Sequence, residues 1–141
     1  MKAVVRIAHA GVRRTGVAAT VALLLFASIG CESGPSGPGS WDAAVENATM
    51  SFGAAVIEVQ GPGIVGFEPA GTTQVYWAET TQVDNYRVVL ISPEGSSSVP
   101  FRVRVSDLGG PVPGGTVVEV ADLLNNPVAV LSTFSVRVDT P

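Results

Sequence analysis

The sequence predicts an all-β fold, a single small antiparallel β-sandwich, placed after a targeting segment. Two observations predict this class: short runs in which apolar and polar residues alternate, and glycine- and proline-rich breaks between those runs. Six or more short strands with turn signals between them are typical of a sandwich or a barrel. No stretch between the breaks is long and amphipathic enough to predict a helix.

Alternation is clearest in residues 101–105 and 134–138, and it is weaker in residues 54–60 and 74–78. Successive side chains of a strand point to opposite faces, so the apolar set of each run should face the core and the polar set should face water. The expected core positions are Phe101, Val103, Val105, Phe134, Val136 and Val138. In the weaker runs Ala55, Ile57 and Val59 alternate with Val56, Glu58 and Gln60, and Val75 and Trp77 alternate with Gln74, Tyr76 and Ala78.

Other segments carry less decisive patterns. Residues 87–91 and 116–121 are more continuously apolar, which predicts strands that are more deeply buried. Residues 41–47 fit a last piece of tether, a helical turn or an edge strand, and the pattern does not choose among them. Turn chemistry separates the runs at residues 61–63, 68–71, 92–98, 107–115 and 125–127.

A targeting segment occupies the start of the chain. Four basic residues, Lys2, Arg6, Arg13 and Arg14, precede an apolar run over residues 17–30, and the only cysteine, Cys31, follows it. A basic start, a short apolar core and small residues before a cleavage point predict a secretory signal. The run is too short to span a bilayer comfortably, since a span needs about 20 apolar residues.

Residues 27–31, Ala-Ser-Ile-Gly-Cys, resemble the lipobox of bacterial lipoprotein precursors. Gly30 fills the small position before the cysteine, and Ser28 stands where leucine is usual. The resemblance implies that the Cys31 thiol receives a diacylglycerol, that the chain is cut before Cys31, and that further acylation with a fatty acid such as palmitate follows. Two or more acyl chains give stable anchoring, whereas one gives only marginal binding.

Two alternatives to the lipobox stay open, an ordinary signal peptide with a chance cysteine and an uncleaved anchor. Arg13 and Arg14 also leave twin-arginine export open. The resulting organisation is a lipoprotein signal peptide over residues 1–30, a lipidated cysteine with a Gly/Pro/Ser-rich tether over residues 31–50, and the sandwich over residues 51–141. It predicts a cell-envelope protein, held to a bacterial membrane by its lipid anchor, with the domain facing the periplasm or the exterior.

The order of the predicted strands resembles that of cohesin-like β-sandwich domains, which are related in fold to some carbohydrate-binding modules. The resemblance lies in an opening strand at residues 53–60, a middle pair at 86–91 and 99–105, and a closing part over residues 114–138. It implies a sandwich and carries no functional residues. Another sandwich, such as an Ig-like one, stays open.

Composition excludes several function classes. After residue 30 the chain has four arginines, no lysine and no histidine against twelve acidic residues, a net charge of −8. Nucleic-acid binding needs clustered basic residues, so no nucleic-acid partner is expected. Without histidine or a free thiol, Ser-His-Asp and Cys-His catalysis and the usual zinc sites are excluded within this part. We therefore expect no enzyme, no cofactor and no metal.

The remaining function classes are non-catalytic. The first hypothesis is an interaction or structural module that holds an unknown protein or glycan partner. The alternative is a carrier or binder of a small apolar ligand or glycan, which would need a hollow interior. The membrane itself is a partner only through the lipid anchor.

Three aromatic residues are candidates for contacts. Tyr76 and Trp77 are adjacent, so in a strand one should lie in the core and the other should be exposed. An exposed aromatic residue can stack on a sugar or fill a pocket of a partner. Trp41, at the end of the tether, is expected to cap an open end of the sandwich.

The polar residues that could form a binding site are expected to have structural roles in a turn and in ion pairs. Asp122, Asn125 and Asn126 supply oxygen ligands in one turn, but Leu123 and Leu124 between them do not fit a calcium loop, so an Asx turn is expected. The outward carboxylates are expected to form cross-strand ion pairs with arginines. The carboxylates are Glu58, Glu79 and Glu119, and the expected partners are Arg102, Arg104 or Arg137.

Overall fold

A computed structural model of the chain describes residues 34–140; the predicted signal peptide, Cys31 and residue 141 lie outside the described residues. The described part forms two antiparallel four-stranded sheets, and apolar side chains from both sheets form one core cluster between them. This arrangement is a β-sandwich and confirms the predicted fold class.

Eight strands build the two sheets. They are β1 (Gly39–Asn47), β2 (Phe52–Gln60), β3 (Ile64–Pro69), β4 (Gln74–Glu79), β5 (Asn85–Ser96), β6 (Ser98–Val105), β7 (Gly114–Ala121) and β8 (Phe134–Asp139). Sheet I has the order β3-β6-β1-β8, and sheet II has the order β4-β5-β2-β7. One short 3₁₀ helix, Leu131–Thr133, precedes β8.

The predicted orientation of the side chains toward the core is confirmed for residues 101–105 and 134–138. On β6, Phe101 and Val103 are fully buried whereas Arg102 and Arg104 are exposed. On β2, Ala55, Ile57 and Val59 are buried in the same core. On β8 the burial is less complete, because β8 is an edge strand: Phe134 is buried, whereas Val136 and Val138 are half-buried.

The sandwich starts at Gly39 and not at residue 51, where the tether composition placed it. β1 is an internal strand that pairs with β6 on one side and β8 on the other. Trp41 and Val45 face the core from it, and Trp41 is buried among the core side chains instead of capping an open end. The indole Nε1 of Trp41 has no hydrogen-bond partner among the described residues.

The chain just before β1 is attached to the sandwich. Asp107 Oδ1 accepts a hydrogen bond from Gly37 N at 2.7 Å, and Leu108 N donates to the Gly37 carbonyl at 2.8 Å. Gly37 is therefore fixed to the connection between β6 and β7. Only residues 32–36 separate this attachment from Cys31 in the sequence.

The two continuously apolar segments differ in burial. Residues 87–91 lie in the internal strand β5, where Val88 and Leu90 are fully buried as predicted. Residues 116–121 lie in the edge strand β7, so the prediction of deep burial is wrong there. The pairing of β7 with β2 shifts by one residue at Val118, which is 39% exposed.

Phe101→Ala should lower the free energy of unfolding by about 3–5 kcal/mol, because it removes a fully buried aromatic ring and leaves a cavity. Arg102→Ala, the matched change at the next position, should cost less than about 1 kcal/mol, because its ion pair is exposed. Denaturant unfolding of both variants measures the two costs. Equal costs would contradict the assigned register.

Candidate binding surface on sheet II

The outer face of sheet I is covered by exposed ion pairs that cross between strands. Arg102 bonds Asp42, its register partner, at 3.0 Å, and the other pairs reach diagonal or same-strand neighbours. These pairs are Arg104–Glu68 at 3.3 Å, Arg137–Glu46 at 3.0 Å and Arg137–Asp139 at 2.6 Å. Each exposed pair contributes at most about 1 kcal/mol to stability. With three guanidinium groups and four carboxylates, this face is a solvated surface of nearly balanced charge.

The expected partners of the strand carboxylates are corrected by the sheet order. Glu58 pairs with Arg87 at 2.7 Å, because the two residues are register partners on β2 and β5. The expected arginines lie on sheet I and cannot reach it. Glu79 and Glu119 form no ion pair with any other described residue.

The outer face of sheet II is apolar in its centre. Residues 54 and 56 of β2, and residues 89 and 91 of β5, alternate with core positions and therefore point away from the core. The register aligns them in two rows across the sheet, Ile91–Ala54–Ala121 and Tyr76–Val89–Val56. We call these six residues the apolar face. Five of them are half-buried and Tyr76 is 57% exposed.

Sequence reasoning missed the apolar face. The signal was present, because residues 54–57 and 88–91 are apolar at both odd and even positions. Such a run is expected in a strand that is buried on both sides. It is equally expected in a strand with one side in the core and an apolar side in contact with solvent. Only the sheet order shows that no other sheet within the described residues covers this face.

Tyr76 and Trp77 point to opposite sides of β4, but neither lies in the core as one was expected to. Trp77 is 43% exposed because β4 and the facing strand β3 are both edge strands. Its ring lies 5.7 Å from that of Phe67 and 5.9 Å from that of Tyr86, between ring centroids. At Gly66, where φ is +156°, a Cβ would come within 3.2 Å of the Trp77 ring. Glycine there lets the indole close the open side of the sandwich.

A shallow depression of about 400 Å³ lies at the hairpin that joins β4 and β5. We call it the hairpin depression; its lining includes Glu58, Ala78, Glu79, Gln82, Asn85 and Arg87. Asn85 is only 7% exposed, and its Nδ2 donates to Gln82 Oε1 at 3.0 Å. Its Oδ1 accepts no hydrogen bond from the described residues. A buried acceptor without a donor is unusual in folded proteins.

Uncompensated negative charge concentrates on sheet II and its connections. Six carboxylates there take part in no ion pair within residues 34–140: Glu79, Asp84, Glu94, Asp107, Glu119 and Asp122. The pKa of Tyr86 is raised first by burial of its hydroxyl and then by the charges of Glu79 and Asp84. Of these carboxylates, Glu119 lies beside the apolar face, because it is the register partner of Val56.

The turn after β7 is held by Asp122. Its Oδ1 accepts hydrogen bonds from Leu124 N and Asn126 N, both at 2.8 Å, and Asn126 Nδ2 donates to the same carboxylate. Asn125 has φ +63°, which asparagine tolerates better than most residues. These bonds confirm the predicted Asx turn. It presents Leu124 to solvent at 82% exposure.

The candidate surface combines aliphatic side chains, one exposed phenol, amides and carboxylates. Within residues 34–140, no three histidine, cysteine, aspartate or glutamate side chains are grouped so that they could hold a metal ion. Over the same residues, no helix is long and apolar enough to cross a membrane.

Comparison with known proteins identifies no matching family model, no matching curated protein and no matching solved structure. The cohesin-like resemblance of the strand order therefore stays a prediction.

The Asp122 turn should make the protein sensitive to acid. Its hydrogen bonds with Asn126 and Leu124 lower the pKa of Asp122 below the ordinary aspartate range. A carboxylate with a lowered pKa in the folded state stabilises the fold fully above about pH 4 and loses that contribution as the pH falls further. Asp122→Asn keeps the acceptor oxygen without the titration, so its melting temperature should fall less between pH 5 and pH 2 than that of the natural protein.

Asn126→Ala provides the control, because it removes the side-chain donor that lowers the pKa of Asp122 most, while the backbone donors at residues 124 and 126 stay. It should make the acid profile of the natural protein shallower and, combined with Asp122→Asn, leave the profile of that variant unchanged. An Asp122→Asn profile that ran parallel to the natural one would show that the turn contributes no acid sensitivity.

Proposed function

We propose that the protein is a bacterial lipoprotein of the cell envelope whose β-sandwich is a non-catalytic interaction module, and that it binds a partner protein through the apolar face of sheet II. The observation that carries the proposal is the contrast between the two outer faces: ion pairs cover one, and contiguous apolar residues centred on Val56 and Val89 form the other. Exposed apolar patches with polar rims mark interaction surfaces.

The composition of the apolar face fits the centre of a protein interface. Such centres are depleted in charge and enriched in aromatic residues, and Tyr76 supplies an aromatic side chain at 57% exposure. A tyrosine offers a large contact area at a small cost in rotamer entropy, since it has only two side-chain torsions. Tyr76 is therefore the anchoring contact that we propose for the partner.

The alternative function, a carrier of a small apolar ligand, is supported less well. Between the sheets the space is filled by side chains: Phe52 packs edge-on against Phe134 with ring centroids 5.3 Å apart, and Phe67 lies 6.5 Å from Phe101. A carrier needs a concave apolar site that covers most of its ligand. The hairpin depression is shallow and lined by polar groups.

The attachment of Gly37 supports a role close to the membrane. Six residue steps separate Cys31 from Gly37, and a fully extended chain of that length spans at most about 22 Å. An acylated Cys31 would therefore keep the domain near the bilayer, where it meets other proteins of the same envelope layer.

Cys31→Ser should abolish labelling with a palmitate probe and move the protein out of the membrane fraction, because the acylated thiol is lost. Ser28→Leu is the matched control, since it introduces the usual lipobox leucine and should retain labelling. Gel detection of the probe measures both. Continued labelling of Cys31→Ser would contradict the lipoprotein proposal.

A photoreactive phenylalanine analogue at position 76 of the full-length lipoprotein should form a cross-linked adduct with a protein in native membranes. The same analogue at Ser135, exposed on the outer face of β8, should not, because that position lies on the ion-paired face. Val89→Arg in the position-76 protein should remove the adduct while circular dichroism stays unchanged. Equal adducts at both positions would contradict the assignment of the binding face.

A further inference from the structure

We propose that the partner adds an extended strand to the free edge of β4, where it is hydrogen-bonded to the backbone of Val75, Trp77 and Glu79. This inference rests on the proposed function, because Tyr76 of the apolar face lies on the same strand, and it names the kind of segment that the partner supplies. Three features of β4 carry it: the direction of its unpaired backbone groups, the lack of protection along its edge, and the exposure of its side chains.

The first feature is the direction of the backbone groups. Thr80 N donates to the carbonyl of Asn85, the opposite residue in the register of β4 and β5, at 2.9 Å. Bonded residues alternate along an antiparallel strand, so every second residue of β4 before Thr80 bonds β5. The N–H and C=O groups of Val75, Trp77 and Glu79 therefore point to the other side, where β4 pairs with no strand within residues 34–140. Such alternating donors and acceptors match the backbone of another extended strand.

The second feature is the lack of protection along this edge. Natural proteins protect edge strands with bulges, prolines or charged side chains. β3 contains a register shift and ends at Pro69, β7 contains a register shift at Val118, and β8 carries the ion pair of Arg137 with Asp139. β4 pairs with β5 in an unbroken register, and its only charged residue is Glu79 at its end. Of the four edge strands, β4 is therefore the one that is open to pairing.

The third feature is the exposure of the side chains. Five of the six residues of β4 are exposed, a larger share than on any other edge strand. Tyr76 is 57% exposed on the outer side, and Trp77 is 43% exposed on the opposite side. Directly opposite residues of paired strands have adjacent side chains on one side, so an added strand would cover both rings. The segment that fits is extended and apolar on both sides.

A strand of a different protein fits this edge better than a second copy of the chain does. Two copies joined by a two-fold axis through their β4 edges would have antiparallel strands, so their Gly37 ends would point in opposite directions. Both copies could then be anchored through Cys31 in one bilayer only if their strands lay flat along it. A strand from a different protein is free of this constraint.

The test uses the full-length lipoprotein in neutral detergent micelles and a short peptide with blocked ends in which valine and threonine alternate. N-methylation of every valine leaves N–H groups on the threonines alone, so this single-edge peptide can pair along one side only. The control peptide has the same side chains and carries an N-methyl group on every residue, so neither of its edges can donate. Amide hydrogen exchange, read residue by residue by NMR, measures the pairing.

Without peptide, the amides of Val75, Trp77 and Glu79 should exchange faster than those of Tyr76 and Ala78, which donate to β5. At a single-edge peptide concentration of about ten times the Kd, exchange at the three free-edge amides should slow about tenfold, because they are then bonded in most molecules. The control peptide should leave these rates unchanged.

Val75→Pro removes one outward N–H and no bond to β5, and proline is tolerated at such edge positions. It should weaken binding of the single-edge peptide about fivefold, the size expected for one backbone hydrogen bond. Val117→Pro is the matched control, because Val117 is also a half-buried valine and lies on the opposite edge strand of sheet II. It should change the affinity less than about twofold, since the two sites share no contact. Circular dichroism checks that both variants are folded.

Absence of protection by the single-edge peptide, or equal protection by the two peptides, would overturn strand addition at β4. Equal losses of affinity for Val75→Pro and Val117→Pro would do the same. Protection of the free-edge amides that grew with protein concentration in the absence of peptide would show that a second copy occupies the edge. None of these results would touch the proposed function of the apolar face, which the cross-linking at position 76 tests separately.

Discussion

The surfaces of this sandwich depend on the register in which its internal strands pair. β1 pairs with β6 so that Trp41 lies opposite Val103, and β2 pairs with β5 so that Ile57 lies opposite Val88. All four side chains then face the core. A slip of one residue would send each of them to solvent, at a free-energy cost that no surface interaction could offset. The register that buries the core therefore also fixes what each outer face displays.

That register gives the two outer faces different chemistry, charged on sheet I and apolar in the centre of sheet II. On sheet I the outward positions of paired strands carry opposite charges, such as Asp42 across from Arg102, and these neutralise one another. On sheet II the outward positions of the two internal strands are aliphatic at Val56 and Val89. Three of the four arginines of the described chain lie on sheet I, so the carboxylates of sheet II remain largely uncompensated. The apolar centre of sheet II is therefore the main chemical difference between the two outer faces.

The two ends of the sandwich have separate roles in the proposed arrangement. One end holds the start of β1, where Asp107 fixes Gly37 and the chain leads back to Cys31. The other end holds the connection between β7 and β8, in which the Asp122 turn presents Leu124. The strands of sheet II run between these ends, so the apolar face extends along the side of the domain. A partner could reach it without displacing the anchored end.

Features that depend only on neighbouring residues follow from the sequence. Alternation placed Phe101 and Phe134 in the core, and side-chain chemistry predicted the Asx turn at Asp122, because both follow from local backbone geometry. The lipobox resemblance at Cys31 also comes from the sequence alone. Features that depend on strand order are visible only in the folded domain. β1 is an internal strand, although its small residues and the adjoining tether hide its pattern in the sequence. Strand order also pairs Glu58 with Arg87 and leaves Trp77, on an edge strand, partly exposed. The apolar face also depends on strand order. A continuously apolar run predicts that both sides of its strand are apolar, but it does not show which side another sheet covers.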